Sequence, residues 1–100
     1  MGSFRVLLRK KALRDIAEIR RWYRDIDPSL EERFRSDLQG SLSRVEAHPL
    51  SYQVVYQNTR RISLRKFPYN LYCCVQETLV RVVAVIHHKR NPAIARARAE

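Results

Sequence analysis

The sequence contains few of the residues that mark linkers, collagen-like repeats or disulfide frameworks. Its 100 residues include two glycines, four prolines and two cysteines. Disordered and repetitive chains carry far more glycine and proline or far fewer apolar residues, whereas 45% of this chain is hydrophobic. A chain of this length has room for one core only, so we predict a single soluble domain over residues 1–100.

Long apolar runs are also absent. No stretch approaches the roughly 18 apolar residues of a membrane span, and the apolar residues 4–8 are too few for the core of a secretion signal. Cys73 and Cys74 are adjacent, so their side chains point to opposite faces of a strand and do not readily form a disulfide. We therefore expect a cytoplasmic protein without a membrane partner, whose cysteines are small buried hydrophobic residues.

Acidic residues are scarce relative to basic ones. Twenty Lys and Arg residues against ten Asp and Glu residues give a formal net charge of +10. Most of the excess lies in the C-terminal half of the chain. Such a charge attracts polyanions or acidic protein surfaces, although basic residues also serve simply to solvate a surface. The charge predicts an anionic partner without identifying it.

Apolar residues recur at helical spacing in two consecutive segments. The first stripe predicts a helix over residues 10–25, and it consists of Ala12, Ile16, Ile19, Tyr23 and Ile26. Asp27 and Pro28 suit the cap and first position of a second helix, which ends before His48 and Pro49. The stripe of this second helix consists of Leu30, Phe34, Leu38, Leu42 and Val45. Together the segments predict a helical hairpin.

Five other segments are typical of strands. Residues 4–8 form a short apolar run, and residues 52–56, 61–67, 71–75 and 79–86 are alternating or β-branched runs. The breaks between the last four are too short for crossover helices, so neighbouring strands should be antiparallel. Asn91 and Pro92 can cap a short helix that extends to residue 97. We summarise the prediction as an α+β fold of order β-α-α-β-β-β, in which the helical hairpin packs on one face of a small antiparallel sheet. A short C-terminal helix follows, and the other sheet face is left for a partner.

Basic side chains alternate with apolar ones in the segment 61–65. Ile62 and Leu64 must face the helices, so Arg61 and Arg65 are expected on the opposite, open face. Arg81 interrupts an otherwise apolar strand, and two further basic residues follow the end of that strand. We predict a target-binding basic face made of Arg61, Arg65, Arg81, Lys89 and Arg90.

With these segments in order, the chain resembles the ParE/RelE superfamily of bacterial type II toxins, on its ParE, or plasmid-stabilisation, side. The resemblance runs from the ALRDI sequence at residues 12–16 to residue 92. Its most specific pieces are the Arg60–Arg61 pair, the FPY sequence at residues 67–69 and AVIHHKRNP at residues 84–92. It implies the same β-α-α-β-β-β fold.

The resemblance implies two competing activities. ParE-like toxins inhibit DNA gyrase by binding and stall it on cleaved DNA, whereas RelE-like toxins are endonucleases that cut mRNA on the ribosome. Both kinds are silenced by a cognate antitoxin, and neither activity implies a cofactor. A third hypothesis is a non-toxic paralogue that only binds an antitoxin and co-represses its operon. The basic face would then meet an acidic antitoxin in place of gyrase, or of the ribosome and mRNA.

The candidate catalytic residues favour the gyrase hypothesis. Arg65 and Arg90 match arginine positions of the family, but the segment after Arg90 has no tyrosine to act as general acid or base. His87 or His88 would have to replace it, so Arg65, Arg90 and His87 form the ribonuclease alternative. Adjacent histidines point apart and no third ligand is spaced for a metal, so we expect no metal site. Trp22 and Tyr23 are interpreted as helix-packing residues.

Overall fold

A computed structural model describes residues 3–99 of the chain. The first three elements are β1 (Arg5–Leu8), α1 (Lys10–Ile26) and α2 (Pro28–Ala47), and a single 3-10 turn (Pro49–Ser51) follows them. The remaining elements are β2 (Gln53–Tyr56), β3 (Thr59–Ser63), β4 (Tyr69–Gln76), β5 (Leu79–His87) and α3 (Ala93–Ala99). The predicted α+β fold is confirmed. The order contains one strand more than the summarised β-α-α-β-β-β, since all five segments that the sequence marks as strands, including β2 beside β3, belong to the sheet.

The helical hairpin turns at Asp27. The backbone N–H of Asp27 donates to the carbonyl of Tyr23 and closes α1, while its side-chain Oδ1 accepts from the N–H of Ser29 at 2.9 Å and caps α2. This hydrogen bond lowers the pKa of Asp27. Glu31 on α2 accepts from Arg24 and Arg20 on α1, at 2.9 and 3.1 Å, and the bond from Arg24 lowers the pKa of Glu31. Local capping and these ion pairs fix the predicted hairpin.

The sheet has the strand order β1-β5-β4-β3-β2. The four strands from β2 to β5 are antiparallel to their neighbours, as their short connections predict. β1 differs, because it lies parallel to β5 with Arg5 opposite Leu79. The sheet is therefore not purely antiparallel. Its first strand reaches the far edge because the whole hairpin separates it from the rest of the sheet, and a connection of that length permits parallel pairing.

The predicted strand over residues 61–67 is wrong at its C-terminal end, since β3 stops at Ser63. Beyond it, the backbone N–H groups of Arg65, Lys66 and Phe67 donate to the carboxylate of Asp37 on α2, at 3.3, 2.9 and 2.9 Å. A buried carboxylate thus replaces a neighbouring strand as the partner of this backbone. The chain turns toward α2 in place of continuing along the sheet.

Apolar clusters lie on both faces of the sheet. Phe34, Leu38 and Val45 of α2 pack with Ile62, Leu71 and Val82 in the larger cluster, which also holds Cys73. The second cluster lies beneath α3 and contains Tyr72, Cys74, Val83, Ala84, Ile86 and Ala95. The two cysteines are buried on opposite faces, as predicted. The expectation of a fully open second face is wrong, because α3 covers part of it.

A bulge in β5 allows both clusters to be filled. Tyr72 lies opposite Ala84 and Cys73 lies opposite Val82, so Val83 is an extra residue without a partner in β4. Val82 and Val85 consequently face the helical hairpin, while Val83 and Ala84 face α3. Within residues 3–99, no helix is both long enough and apolar enough to cross a membrane.

Candidate functional site

Three concave regions of the surface contain Arg61, Arg65 and Arg90, three of the basic residues that the sequence singles out. The α2 groove lies between α2 and the 65–67 loop, and it encloses about 550 Å³. The α1–α3 groove lies between those two helices at the C-terminal end of β5 and encloses about 220 Å³. The sheet pocket lies between α3 and strands β2 to β4 and encloses about 190 Å³.

The α2 groove carries four cationic side chains. Arg33 and Arg44 come from α2, while Arg65 and Lys66 come from the loop that Asp37 holds in place. The guanidinium of Arg44 donates to the hydroxyl of Ser41 at 2.9 Å, which fixes it against the helix. The groove is therefore a positively charged concavity of defined shape.

The α1–α3 groove is closed by an ion pair. Arg98 on α3 donates to the carboxylate of Asp15 on α1 at 2.5 Å, and the same carboxylate accepts from the backbone N–H of Val85 at 3.0 Å. Trp22 lines this groove with 64% of its surface exposed and forms its rim, and Arg90 is also a lining residue. The predicted packing role of Trp22 is therefore wrong, whereas Tyr23 does pack against Phe34.

His87 and Tyr69 meet at the base of the α1–α3 groove. Their ring centroids are 5.3 Å apart in an edge-on arrangement, and Nδ1 of His87 accepts from the backbone N–H of Lys89 at 3.1 Å. Burial raises the pKa of Tyr69 above its ordinary value, and a hydrogen bond with Tyr23 adds to the shift. The phenol of Tyr69 therefore stays protonated near neutral pH.

The sheet pocket combines aromatic and cationic side chains. Tyr56 and Tyr72 line it together with Arg61 and Arg96. The guanidinium carbon of Arg96 lies 4.8 Å from the centre of the Tyr56 ring, within the range of a cation–π interaction. The pocket therefore offers planar rings and positive charge on the second face of the sheet.

The five residues of the predicted basic face do not form one surface. Arg61 lines the sheet pocket, Arg65 lines the α2 groove and Arg90 lines the α1–α3 groove. The prediction that Arg61 and Arg65 share a face is wrong, because the chain leaves the sheet after Ser63. Lys89 is exposed beside Arg90.

Arg81 is half-buried within β5. One guanidinium nitrogen donates to Oε1 of Gln76 at 3.3 Å, and Nε is buried without a hydrogen-bond partner among residues 3–99. The side chain therefore lies along the sheet with only part of its charge accessible to a partner.

Several residues of these regions were not identified from the sequence. The sequence does contain a sign of the role of Asp37, because this acid lies between Phe34 and Leu38 in the apolar stripe of α2, at a buried position. The pairing of Asp15 with Arg98 leaves no sign in the sequence, since 83 residues separate the two. Tyr56 and Arg96 come together only when α3 folds back onto the sheet. In the part of the chain that the structure describes, no three His, Cys, Asp or Glu residues are grouped so as to hold a metal ion.

Solved structures with the same fold include toxins and toxin–antitoxin complexes. The chromosomal ParDE system of P. aeruginosa superimposes with a TM-score of 0.75 at 12% identity, over 85% of this chain and 96% of that one. The RelBE2 complex of Mycobacterium tuberculosis gives 0.59 at 16% identity, over 86% and 99% of the two chains. The isolated RelE toxin of E. coli gives 0.58 at 20% identity, over 96% and 95%. At these identities the likeness establishes the fold.

The sequence itself provides the family assignment. No curated protein matches it in a direct sequence comparison. The family model described as "ParE toxin of type II toxin-antitoxin system, parDE" matches residues 6–92, which include every element from the hairpin to β5. The chain therefore belongs to the ParE toxin family of type II toxin–antitoxin systems.

Proposed function

We propose that the chain inhibits DNA gyrase by binding it, and that a cognate antitoxin holds it inactive. Membership of the ParE family supports this function, and the ParDE and RelBE complexes of the same fold support an antitoxin partner. The net charge of +10 suits an acidic partner.

The observation that carries the proposal is the separation of the candidate catalytic residues. Arg65 lines the α2 groove, whereas His87 and Arg90 line the α1–α3 groove, and the two grooves share no lining residue. Cleavage of RNA requires acid–base groups and a charge clamp around one phosphate. A surface that acts by binding has no such requirement, so the arrangement favours inhibition without catalysis.

The rim of the α1–α3 groove is the target surface that we propose. Trp22 is exposed there, Arg90 also lines the groove, and the exposed Lys89 precedes Arg90 just after the end of β5. Trp and Arg are among the residue types that contribute most to protein–protein affinity. We place gyrase contact at Trp22, Lys89 and Arg90.

Two parallel assays test the function. The purified protein should inhibit supercoiling by gyrase and increase the amount of gyrase-linked cleaved DNA, and it should leave mRNA on translating ribosomes intact. Expression alone should arrest growth, which distinguishes a toxin from a non-toxic paralogue. Full supercoiling activity in the presence of excess protein would refute the gyrase proposal.

A ribonuclease remains the second candidate because of the sheet pocket. Tyr56, Arg61 and Arg96 line it together, so this pocket contains a tyrosine and two arginines although the C-terminal segment lacks a tyrosine. If this pocket is catalytic, the protein cuts ribosome-bound mRNA, and Tyr56→Phe removes the cleavage. Tyr52→Phe, which lies outside the lining of the pocket, serves as the matched control. Cuts that are instead lost in His87→Ala would assign the chemistry to the histidine.

A further inference from the structure

We propose that a basic cleft at the start of α1 binds the phosphate backbone of the duplex DNA that gyrase holds. The cleft encloses about 490 Å³ between α1, β5 and α3. Its lining residues are Arg9, Lys10, Lys11, Val83, Ala97 and Arg98. The inference rests on the proposed function, because gyrase would bring the DNA to the bound protein. It concerns a separate surface, since Trp22, Lys89 and Arg90 do not line the cleft.

Three of the four cations in the cleft have no anionic partner within the described chain. Arg9, Lys10 and Lys11 are exposed, and among residues 3–99 no carboxylate lies within ion-pair distance of them. Arg98 pairs with Asp15, but that carboxylate lines the neighbouring α1–α3 groove and not the cleft. None of the described lining residues is acidic, whereas acids line both the α1–α3 groove and the α2 groove. Three positive charges therefore remain for an external anion.

The placement of these charges does not serve the stability of α1. The free N–H groups of the first helical turn carry partial positive charge, which favours acidic side chains there. The first turn of α1 contains no acid, and three cations follow one another at this end of the helix. Residues that break a local rule of stability are expected at functional sites. An anion in the cleft would relieve the repulsion among them.

The walls of the cleft are held in place within the protein. The backbone N–H of Arg9 donates to the carbonyl of Val82 at 3.0 Å, which fixes the start of α1 to β5. Arg98 ties α3 to α1 through Asp15, and it also donates to the carbonyl of Val83 at 3.3 Å. A ligand therefore needs to order only the exposed side chains, which keeps the entropic cost of binding small.

The chemistry of the lining favours a phosphate backbone over an acidic protein. Protein interfaces are centred on aromatic or large aliphatic anchors, yet none of the exposed large apolar side chains in the described chain lines the cleft. Its apolar members are the buried Val83 and the small Ala97. The described lining also has no Asn, Gln or aromatic side chain to read base edges or to stack on bases. Lysine and arginine alone suit phosphates, so the duplex should be bound without regard to its sequence.

The cleft would give the inhibitor a preference for gyrase that holds DNA. A ligand shifts an equilibrium only as far as its affinities for the two states differ. With Trp22 and Arg90 on gyrase and with Lys10 and Lys11 on the duplex, the two contacts reinforce each other only when both molecules are present. We therefore expect the protein to bind the gyrase–DNA complex more tightly than gyrase alone.

Binding of a short DNA duplex of mixed sequence tests the inference, measured by fluorescence anisotropy at several salt concentrations. Lys10→Gln with Lys11→Gln should weaken binding about tenfold or more and reduce the slope of log affinity against log salt by about 2, one for each lost phosphate contact. Both positions are exposed and glutamine suits a helix as well as lysine does, so this variant should fold. Arg33→Gln with Lys66→Gln is the matched control, because it removes the same charge from exposed residues of the α2 groove.

The outcomes separate the two proposals. The Lys10, Lys11 double variant should still bind gyrase but lose the additional affinity that DNA gives to the wild-type protein and to the control. Equal losses of duplex binding in both double variants would show attraction by net charge alone and would overturn the cleft assignment, while gyrase inhibition would still support the proposed function. If the wild-type protein does not inhibit gyrase, the proposed function fails whatever the duplex result. Binding of polyglutamate that depends on Lys10 and Lys11, with duplex binding independent of them, would assign the cleft to an acidic protein segment instead.

Discussion

The carboxylate of Asp15 and the guanidinium of Arg98 form an ion pair that joins the first helix to the last, across 83 residues of sequence. Both side chains are at most 20% exposed, and Arg98 also donates to the carbonyl of Val83. This pair, with the bond from Val85 to Asp15, ties α1, β5 and α3 together at one point.

Loss of Arg98 should therefore destabilise the protein. Arg98→Met leaves a largely buried carboxylate without its cation, and we expect the free energy of unfolding to fall by about 1–3 kcal/mol in urea denaturation. Arg24→Gln removes an exposed arginine from the pair with Glu31 and should change stability little. Equal losses in the two variants would show that the Asp15–Arg98 pair has no special structural role.

Replacement of Asp37 should release the 65–67 loop. Asp37→Asn keeps one acceptor oxygen but turns an amide N–H toward backbone donors, so we expect a loss of about 1–3 kcal/mol. Hydrogen exchange at the N–H groups of Lys66 and Phe67 should accelerate, while exchange in β4 stays slow. Glu46→Gln, at an exposed position of the same helix, is the control. Unchanged exchange at residues 66 and 67 would contradict the role of this carboxylate.

Truncation of Leu38 should create a cavity in the larger core. The side chain is 6% exposed beneath the hairpin, so Leu38→Ala should cost about 2–5 kcal/mol of stability. Leu13→Ala, at a position that is 49% exposed, should cost far less. A loss below about 0.5 kcal/mol for Leu38→Ala would mean that this stripe of α2 faces a partner and not the sheet.

The thiol of Cys73 should be unreactive while the protein is folded. Burial raises its pKa to about 12, and the neighbouring Cys74 adds to the shift, so the reactive thiolate is scarce at pH 8. Iodoacetamide should label Cys73 only after the protein unfolds. Because the unfolded thiol ionises near its ordinary value of 9.0 and the folded one does not, this group should lower stability as pH rises from 9 toward 12. Rapid labelling of the native protein would contradict this burial.

Replacement of Arg90 should weaken gyrase inhibition gradually. Arg90→Ala removes one charged contact at the proposed target surface, worth about 1–3 kcal/mol of binding, and the remaining inhibition should depend less on salt. The matched control is Arg14→Ala on the exposed side of α1. A loss of mRNA cleavage by orders of magnitude would instead identify Arg90 as part of a transition-state charge clamp.

The parts of the fold that depend on local patterns were predictable from sequence. The stripes containing Ile19 and Phe34 specify helices directly, and Asp27 and Pro28 mark the turn between them. The alternation after Arg61 predicts a strand through residue 67, whereas the backbone N–H groups of residues 65–67 donate to Asp37, nearly 30 residues earlier in the chain. The alternation of apolar and polar residues in a segment cannot show that its backbone N–H groups bond to a side chain of a distant helix.

For the candidate sites, the sequence predicts which residue types take part but not where they lie on the surface. The excess of arginine indicated an anionic partner, but its distribution among three concavities depends on where the chain leaves the sheet and where α3 docks. The Ala-rich helix α3 packs Ala95 against Tyr72 and Cys74. The sheet pocket forms only because α3 docks at this place, since Ala95 is part of its wall. The sheet face that the sequence analysis expects to be open is therefore partly covered by α3, and the residues beneath that helix form a second apolar core.

Because β1 pairs with β5, the last strand in the chain, the sheet can be completed only near the end of synthesis. The ribosome releases β1 and the whole hairpin before it has made the strand that covers them, so Val6, Phe34 and Leu38 have no sheet to pack on at that stage. Contacts between residues that lie far apart in the sequence form late. Until they form, the apolar surface that they will cover is exposed and prone to aggregation. A newly made chain thus keeps this apolar surface exposed to solvent until the residues of β5 have been synthesised.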